Sequence, residues 1–93
     1  HPRFDLVLAP YALAPLEKGA VLKFVEHAWQ QTAEGGVLAL MEPNTEAGRT
    51  ALQTAREGMR ELLESREETG RLLAPFPQDP EMPDGQETQP WRR

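Results

Sequence analysis

Cysteine is absent from all 93 residues. That excludes a disulfide framework, a thiolate nucleophile, a cysteine zinc site and a cysteine-ligated iron–sulfur cluster built from this chain alone. The redox compartment stays open, because a chain without cysteine suits any compartment. Positive charge is also scarce: 10 Lys and Arg stand against 15 Asp and Glu, for a net charge of −5 at pH 7. Phosphate affinity grows from clustered cations, so a free-standing nucleic-acid binder is not expected. Docking onto RNA as one piece of a larger assembly remains compatible with that balance. Long apolar runs are missing too. None approaches the roughly 20 residues that cross a bilayer, and the run ending at Pro10 is too short for a signal sequence. The first residue is His1 and not Met, so a longer product is expected, with any targeting signal outside this segment.

What is present alternates between two periods. Phe4-Asp5-Leu6-Val7-Leu8-Ala9, between Pro2 and Pro10, reads as a strand buried on both faces, the kind found in parallel sheets. Leu16 to Thr32 follows a helical period, with Ala20, Phe24, Val25, Ala28 and Trp29 as its apolar stripe. Gly35-Gly36 reads as a turn, and Val37-Leu38-Ala39-Leu40-Met41 as a second strand ended by Glu42-Pro43. A second helix is expected from Asn44 or Thr45, either able to cap it, to about Glu68. Gly48, Leu52, Ala55, Met59 and Leu62 share its inner face, widened by Leu63, while Glu57, Glu61, Glu64 and Glu68 point away. Gly70 stops it, and Arg71-Leu72-Leu73-Ala74 is a third strand. Beyond it, Pro75, Pro77, Pro80, Pro83 and Pro90 argue against regular structure. The expected domains are therefore an α/β unit over residues 1–74 and a Pro-rich extended or disordered tail over 75–93.

Strand-helix-strand-helix-strand is the pattern of a parallel α/β unit. Two or three such strands leave sheet edges open and a helix layer incomplete. The segment is thus expected to pack against more sheet, from its own polypeptide or another chain, and not to melt cooperatively alone.

Asp5-Leu6-Val7-Leu8-Ala9, with Leu13 and Leu16, resembles the fourth strand and following turn of class I methyltransferases. Trp29 and Thr32, followed by Gly36-Val37-Leu38-Ala39-Leu40-Met41-Glu42-Pro43-Asn44-Thr45-Glu46-Ala47-Gly48, is similar to a more specific group. This is the family of mitochondrial small-ribosomal-subunit methyltransferase-like proteins, methyltransferase-like protein 17 and its relatives. Leu73-Ala74-Pro75-Phe76-Pro77-Gln78-Asp79 continues the likeness in order and spacing. The resemblance implies the C-terminal portion of a Rossmann-like class I methyltransferase fold, whose parallel sheet is completed by segments outside this chain. It also implies a matrix protein that binds small-subunit rRNA or ribosomal proteins and supports mitochondrial translation through assembly. The family is described with an iron–sulfur cluster held by cysteines. Here Phe76 and Met82 stand where those cysteines would fall and Gln78 replaces a histidine, so no metal ligand carries over.

The alternative is an active S-adenosylmethionine-dependent methyltransferase whose donor-binding half lies elsewhere. The Gly-rich loop after a first strand, and the acid that would hold the donor ribose, are not in this sequence. No catalytic or cofactor-binding residue is assigned, and S-adenosylmethionine belongs to the complete protein if anywhere.

Five residues are candidates for substrate or partner contact. Tyr11 follows Ala9-Pro10 at a strand end, where amino-methyltransferases place a polar residue before Pro-Pro-Tyr. Ala9 cannot accept a hydrogen bond from a target amine, so a structural turn is the competing reading. Glu42 sits at the corresponding edge of the next strand. Arg49, Arg56 and Arg60 share a helix stripe with Gln53 and can grip phosphates, or Arg60 can simply pair with Glu64 one turn on. His27 reads as a solvated helix residue, and Trp91-Arg92-Arg93 as an RNA or protein anchor or an unstructured end.

Overall fold

A computed structural model of the chain describes residues 3–73 and 86–93. The elements run β1 (Phe4–Pro10), α1 (Lys18–Gln30), β2 (Thr32–Pro43), α2 (Glu46–Ser65), β3 (Arg71–Leu72) and β4 (Gln86–Arg92). The strands form one sheet in the order β1-β2-β4-β3. β1 pairs parallel with β2, while β4 runs antiparallel to both of its neighbours, β2 and β3.

The α/β class is as expected, but the sheet is mixed and not purely parallel. The correction lies in residues 86–92, which the sequence reading placed in the tail and which form a strand inside the sheet. Pro90 sits in this interior strand without breaking its pairing to β2. Its carbonyl accepts from the Leu73 N–H at 2.9 Å. N–H and C=O of one strand residue point to the same side, so the donor that proline lacks also faces β3. There β3 is ending at Leu72, and the ladder to β2 loses nothing. Residues 74–85, including Phe76, Gln78 and Met82, lie outside the described residues, as does His1.

Both helices pack on one face of the sheet and against each other. From β1 they cover Val7 and Ala9, from β2 Leu38 and Leu40, and from β4 Trp91. α1 begins at Lys18, and its buried stripe is Val21, Val25, Ala28 and Trp29. Val21, not the exposed Ala20, occupies the interior, because 21, 25, 28 and 29 share one face at a 3.6-residue period. α2 buries Gly48, Ala51, Leu52, Ala55, Met59 and Leu63, with Leu62 half-buried at the rim.

Gly35-Gly36 does not separate the strand from the helix; it lies within β2 as an irregularity. Phe4 is registered with Thr32 but Leu6 with Val37, so four residues of β2 stand opposite Asp5. Gly35 takes φ 81, and a Cβ on Gly36 would come within 2.9 Å of the Ala33 and Asp5 carbonyl oxygens. Only glycine fits this excursion.

Candidate functional site

Pro10 is registered with Met41, so the C-terminal ends of β1 and β2 lie side by side. Ligands of open α/β sheets bind outside such strand ends. Tyr11 and Glu42 come together here. Tyr11 leaves β1 in the left-handed region, with φ 57, and its N–H donates to the Met41 carbonyl at 2.8 Å. This backbone conformation is uncommon for a residue with a Cβ. The residue is 47% exposed.

Glu42 is 0% exposed. Strand alternation turns its side chain to the helix face, beside Leu40 two residues earlier. Its Oε1 accepts from the backbone N–H groups of Leu13 at 3.2 Å and Ala14 at 2.6 Å. Oε2 is buried without a hydrogen-bond partner. The carboxylate therefore ties the β1–α1 loop to the end of β2. Of the two, Tyr11 is the residue that solvent reaches.

The next residues cap α2. Thr45 is extended, and its Oγ1 accepts from the Gly48 N–H at 3.0 Å. Asn44 Oδ1 accepts from Arg49 Nη1 at 2.8 Å. A Cβ on Gly48 would collide with the Pro43 carbonyl, so glycine lets the helix start directly over the strand end. Between the starts of α1 and α2 lies an open depression of about 660 Å³, lined among others by Leu16, Lys18, Thr45, Glu46 and Thr50.

The three arginines of α2 form a patch of their own. Arg49 is held by Asn44; Arg56 and Arg60 lie roughly 10 and 16 Å further along the axis, at 1.5 Å per residue. Arg60 is exposed, and Arg56 is half-buried with its Nε lacking a partner. Ion pairs among the described residues join Arg66 to Glu26 at 2.5 Å and Arg93 to Glu68 at 3.5 Å. The Arg60–Glu64 pair allowed by helix spacing is not among them. His27 is exposed, and its Nε2 lies 3.1 Å from Gln31 Nε2.

Sequence reasoning missed a polar lock at the opposite end of the strands. Glu68 does not point away from the core: its Oε2 accepts from Trp29 Nε1–H at 2.9 Å. Arg93 pairs with the same carboxylate, donates to the Trp29 and Thr32 carbonyls at 2.6 and 3.1 Å, and sits 5.3 Å from the Trp29 ring centroid. Partners as far apart as 39, 61 and 64 positions leave no local signal.

Among the described residues no group of three or more His, Asp or Glu is placed to hold a metal, and no helix is long and apolar enough to cross a membrane. The family model described as mitochondrial small ribosomal subunit Rsm22 matches residues 1–92. No curated protein and no solved structure matches the chain.

Proposed function

This chain belongs to the mitochondrial small ribosomal subunit Rsm22 family, and we propose that it is a methyltransferase-like scaffolding piece that docks on rRNA or proteins of that subunit in the mitochondrial matrix. The family match over nearly the whole chain carries this reading. The fold is in keeping with it: β1 and β2 pair in parallel through the crossover helix α1, the unit from which α/β sheets are built, and β4 runs reversed between β2 and β3. A class I methyltransferase-like half, completed by further sheet beyond β1, fits that arrangement. Arg56 and Arg60 are the phosphate contacts in this reading, since no carboxylate pairs with either among the described residues. Arg49, already engaged by Asn44, orients the start of the helix beside them.

The chain supplies no ligand to an iron–sulfur cluster in this proposal, because it has no thiolate to offer. Iron and sulfide analysis of the complete polypeptide, with and without residues 74–85, reports any contribution.

The test is sedimentation. The complete polypeptide should cofractionate with small-subunit particles or their precursors. Arg56→Glu with Arg60→Glu should weaken that association and flatten its salt dependence by about one to two phosphate contacts. A protein that never cofractionates, and whose depletion leaves the precursors unchanged, sinks the proposal.

One observation favours a second reading: Tyr11, exposed at the strand ends, is held there by its N–H bond to the Met41 carbonyl. In a catalytic protein Tyr11 would stack on a planar methyl acceptor, while residues outside this chain bind the S-adenosylmethionine that supplies the methyl group. Full methyl transfer by a Tyr11→Ala variant would exclude that role.

A further inference from the structure

We propose that the β3 flank of the domain is a phosphate track for small-subunit rRNA, in which Arg71 and Arg92 join Arg56 and Arg60. The proposal rests on the ribosomal reading and deepens it. It names RNA, and not protein, as what this flank touches, and it adds a second pair of contacts from another part of the fold.

The fold uses some of the chain's arginines and leaves others free. Arg66 pairs with Glu26, Arg93 pairs with Glu68, and Arg49 donates to Asn44. The guanidinium groups of Arg56, Arg60, Arg71 and Arg92 bond to nothing among the described residues. All four lie toward one edge of the sheet. α2 meets α1 along Gly58, Glu61 and Ser65. Arg56 and Arg60 stand two residues to either side of Gly58, roughly 200° round the axis, so they leave α2 on the side away from α1. That side overlies β4 and β3, because α2 packs on β2 and β4 and the Gln89 side chain donates to the Leu52 carbonyl. Arg71 is on β3 itself, directly opposite Arg92 on β4. Both are exposed, and alternation turns them from the helices, since Trp91 beside Arg92 is buried beneath them.

Opposed residues of an antiparallel pair have Cα atoms about 4.5–5.5 Å apart, and like charges so placed destabilise a sheet. An anion held between the two guanidinium groups cancels that repulsion, and a phosphodiester offers oxygens to both.

Apolar surface is gathered at the other end of the sheet. The large exposed hydrophobics, Phe4, Leu6, Leu8, Tyr11 and Leu16, belong to β1 and the loop after it. A protein partner needs an apolar patch within a polar rim, and among the described residues the β3 flank exposes no large hydrophobic. RNA needs cations along its path and no apolar floor. The net charge of −5 thus averages over a chain whose free arginines share one flank.

The test measures binding of the complete polypeptide to a transcript of the small-subunit rRNA over a range of salt concentrations. Arg71→Gln with Arg92→Gln should reduce the slope of log Kd against log salt by about 1.4–1.8, the share of two phosphate contacts, and weaken binding about 25-fold or more at 0.1 M salt. Variant and parent should converge near 1 M, which a folding defect would not allow. Lys18→Gln with Lys23→Gln, on α1, should leave the slope unchanged. Without RNA, Arg71→Gln should hold or raise the melting temperature, because it removes a like-charge pair. The proposal is overturned by a slope that the arginine variant leaves unchanged, by an equal loss from the lysine variant, by a lowered melting temperature, or by a parent that does not bind the transcript. Sedimentation decides the ribosomal reading separately: cofractionation that survives loss of all four arginines leaves that reading standing and removes this one.

Discussion

The two faces of the sheet share strands and differ in nearly everything else. One carries Leu38, Leu40, Trp91 and the buried Glu42 beneath two helices; the other leaves Leu6 and Leu8 in the open beside Arg92 and Arg71, which join no ion pair among the described residues. Composition does not separate them, because β1 and β2 are apolar on both sides. What separates them is the path of the chain: α1 and α2 pack on the same side and against each other. A strand sequence shows how many of its faces want cover, and topology decides which face this segment covers itself.

Truncation of core leucines probes that contrast most strongly. In the complete polypeptide, Leu40→Ala should lower unfolding free energy by about 2–5 kcal/mol, read from urea denaturation, because the site is fully enclosed. A change under about 1 kcal/mol would mean that the helices do not close over β2. Glu42 comes next. Glu42→Ala strips two buried N–H groups of their acceptor and should cost about 1–3 kcal/mol. Glu42→Gln keeps an acceptor oxygen and should lose less than half of that; an equal loss would show that the second carboxylate oxygen has a partner in solution. Thr45→Ala removes a cap from α2 and should cost about 1 kcal/mol. The smallest effect belongs to the open face. Leu8 is 57% exposed, so Leu8→Ala should fall within about 0.5 kcal/mol of the parent. A cost like that of Leu40→Ala would erase the contrast.

Much of the covered face was legible in the sequence. Both helices, the first two strands and most core positions follow from apolar spacing, and Thr45 as a cap follows from its place before a helical run. Sequence errors cluster where partners are distant. β4 was hidden because prolines in a polar segment read as tail, and its pairing depends on where Pro90 points. The Trp29–Glu68–Arg93 lock and the Arg71–Arg92 pair arise from that strand, so they were hidden with it. The places of Tyr11 and Glu42 at the strand ends follow from the strand boundaries. The bond from the carboxylate to the loop does not, because it joins residues 28 and 29 positions apart.

The placement of β4 also governs when this architecture can exist during synthesis. Three of its strands are translated first, yet β2 and β3 acquire their shared neighbour only as residues 86–92 emerge from the exit tunnel. Until then Trp91 is missing from the interior and Arg93 cannot fasten the end of α1. A premature stop between codons 86 and 93 would release a product that holds both helices and β1 to β3 but lacks the strand that joins β2 to β3, a natural substrate for quality-control proteolysis.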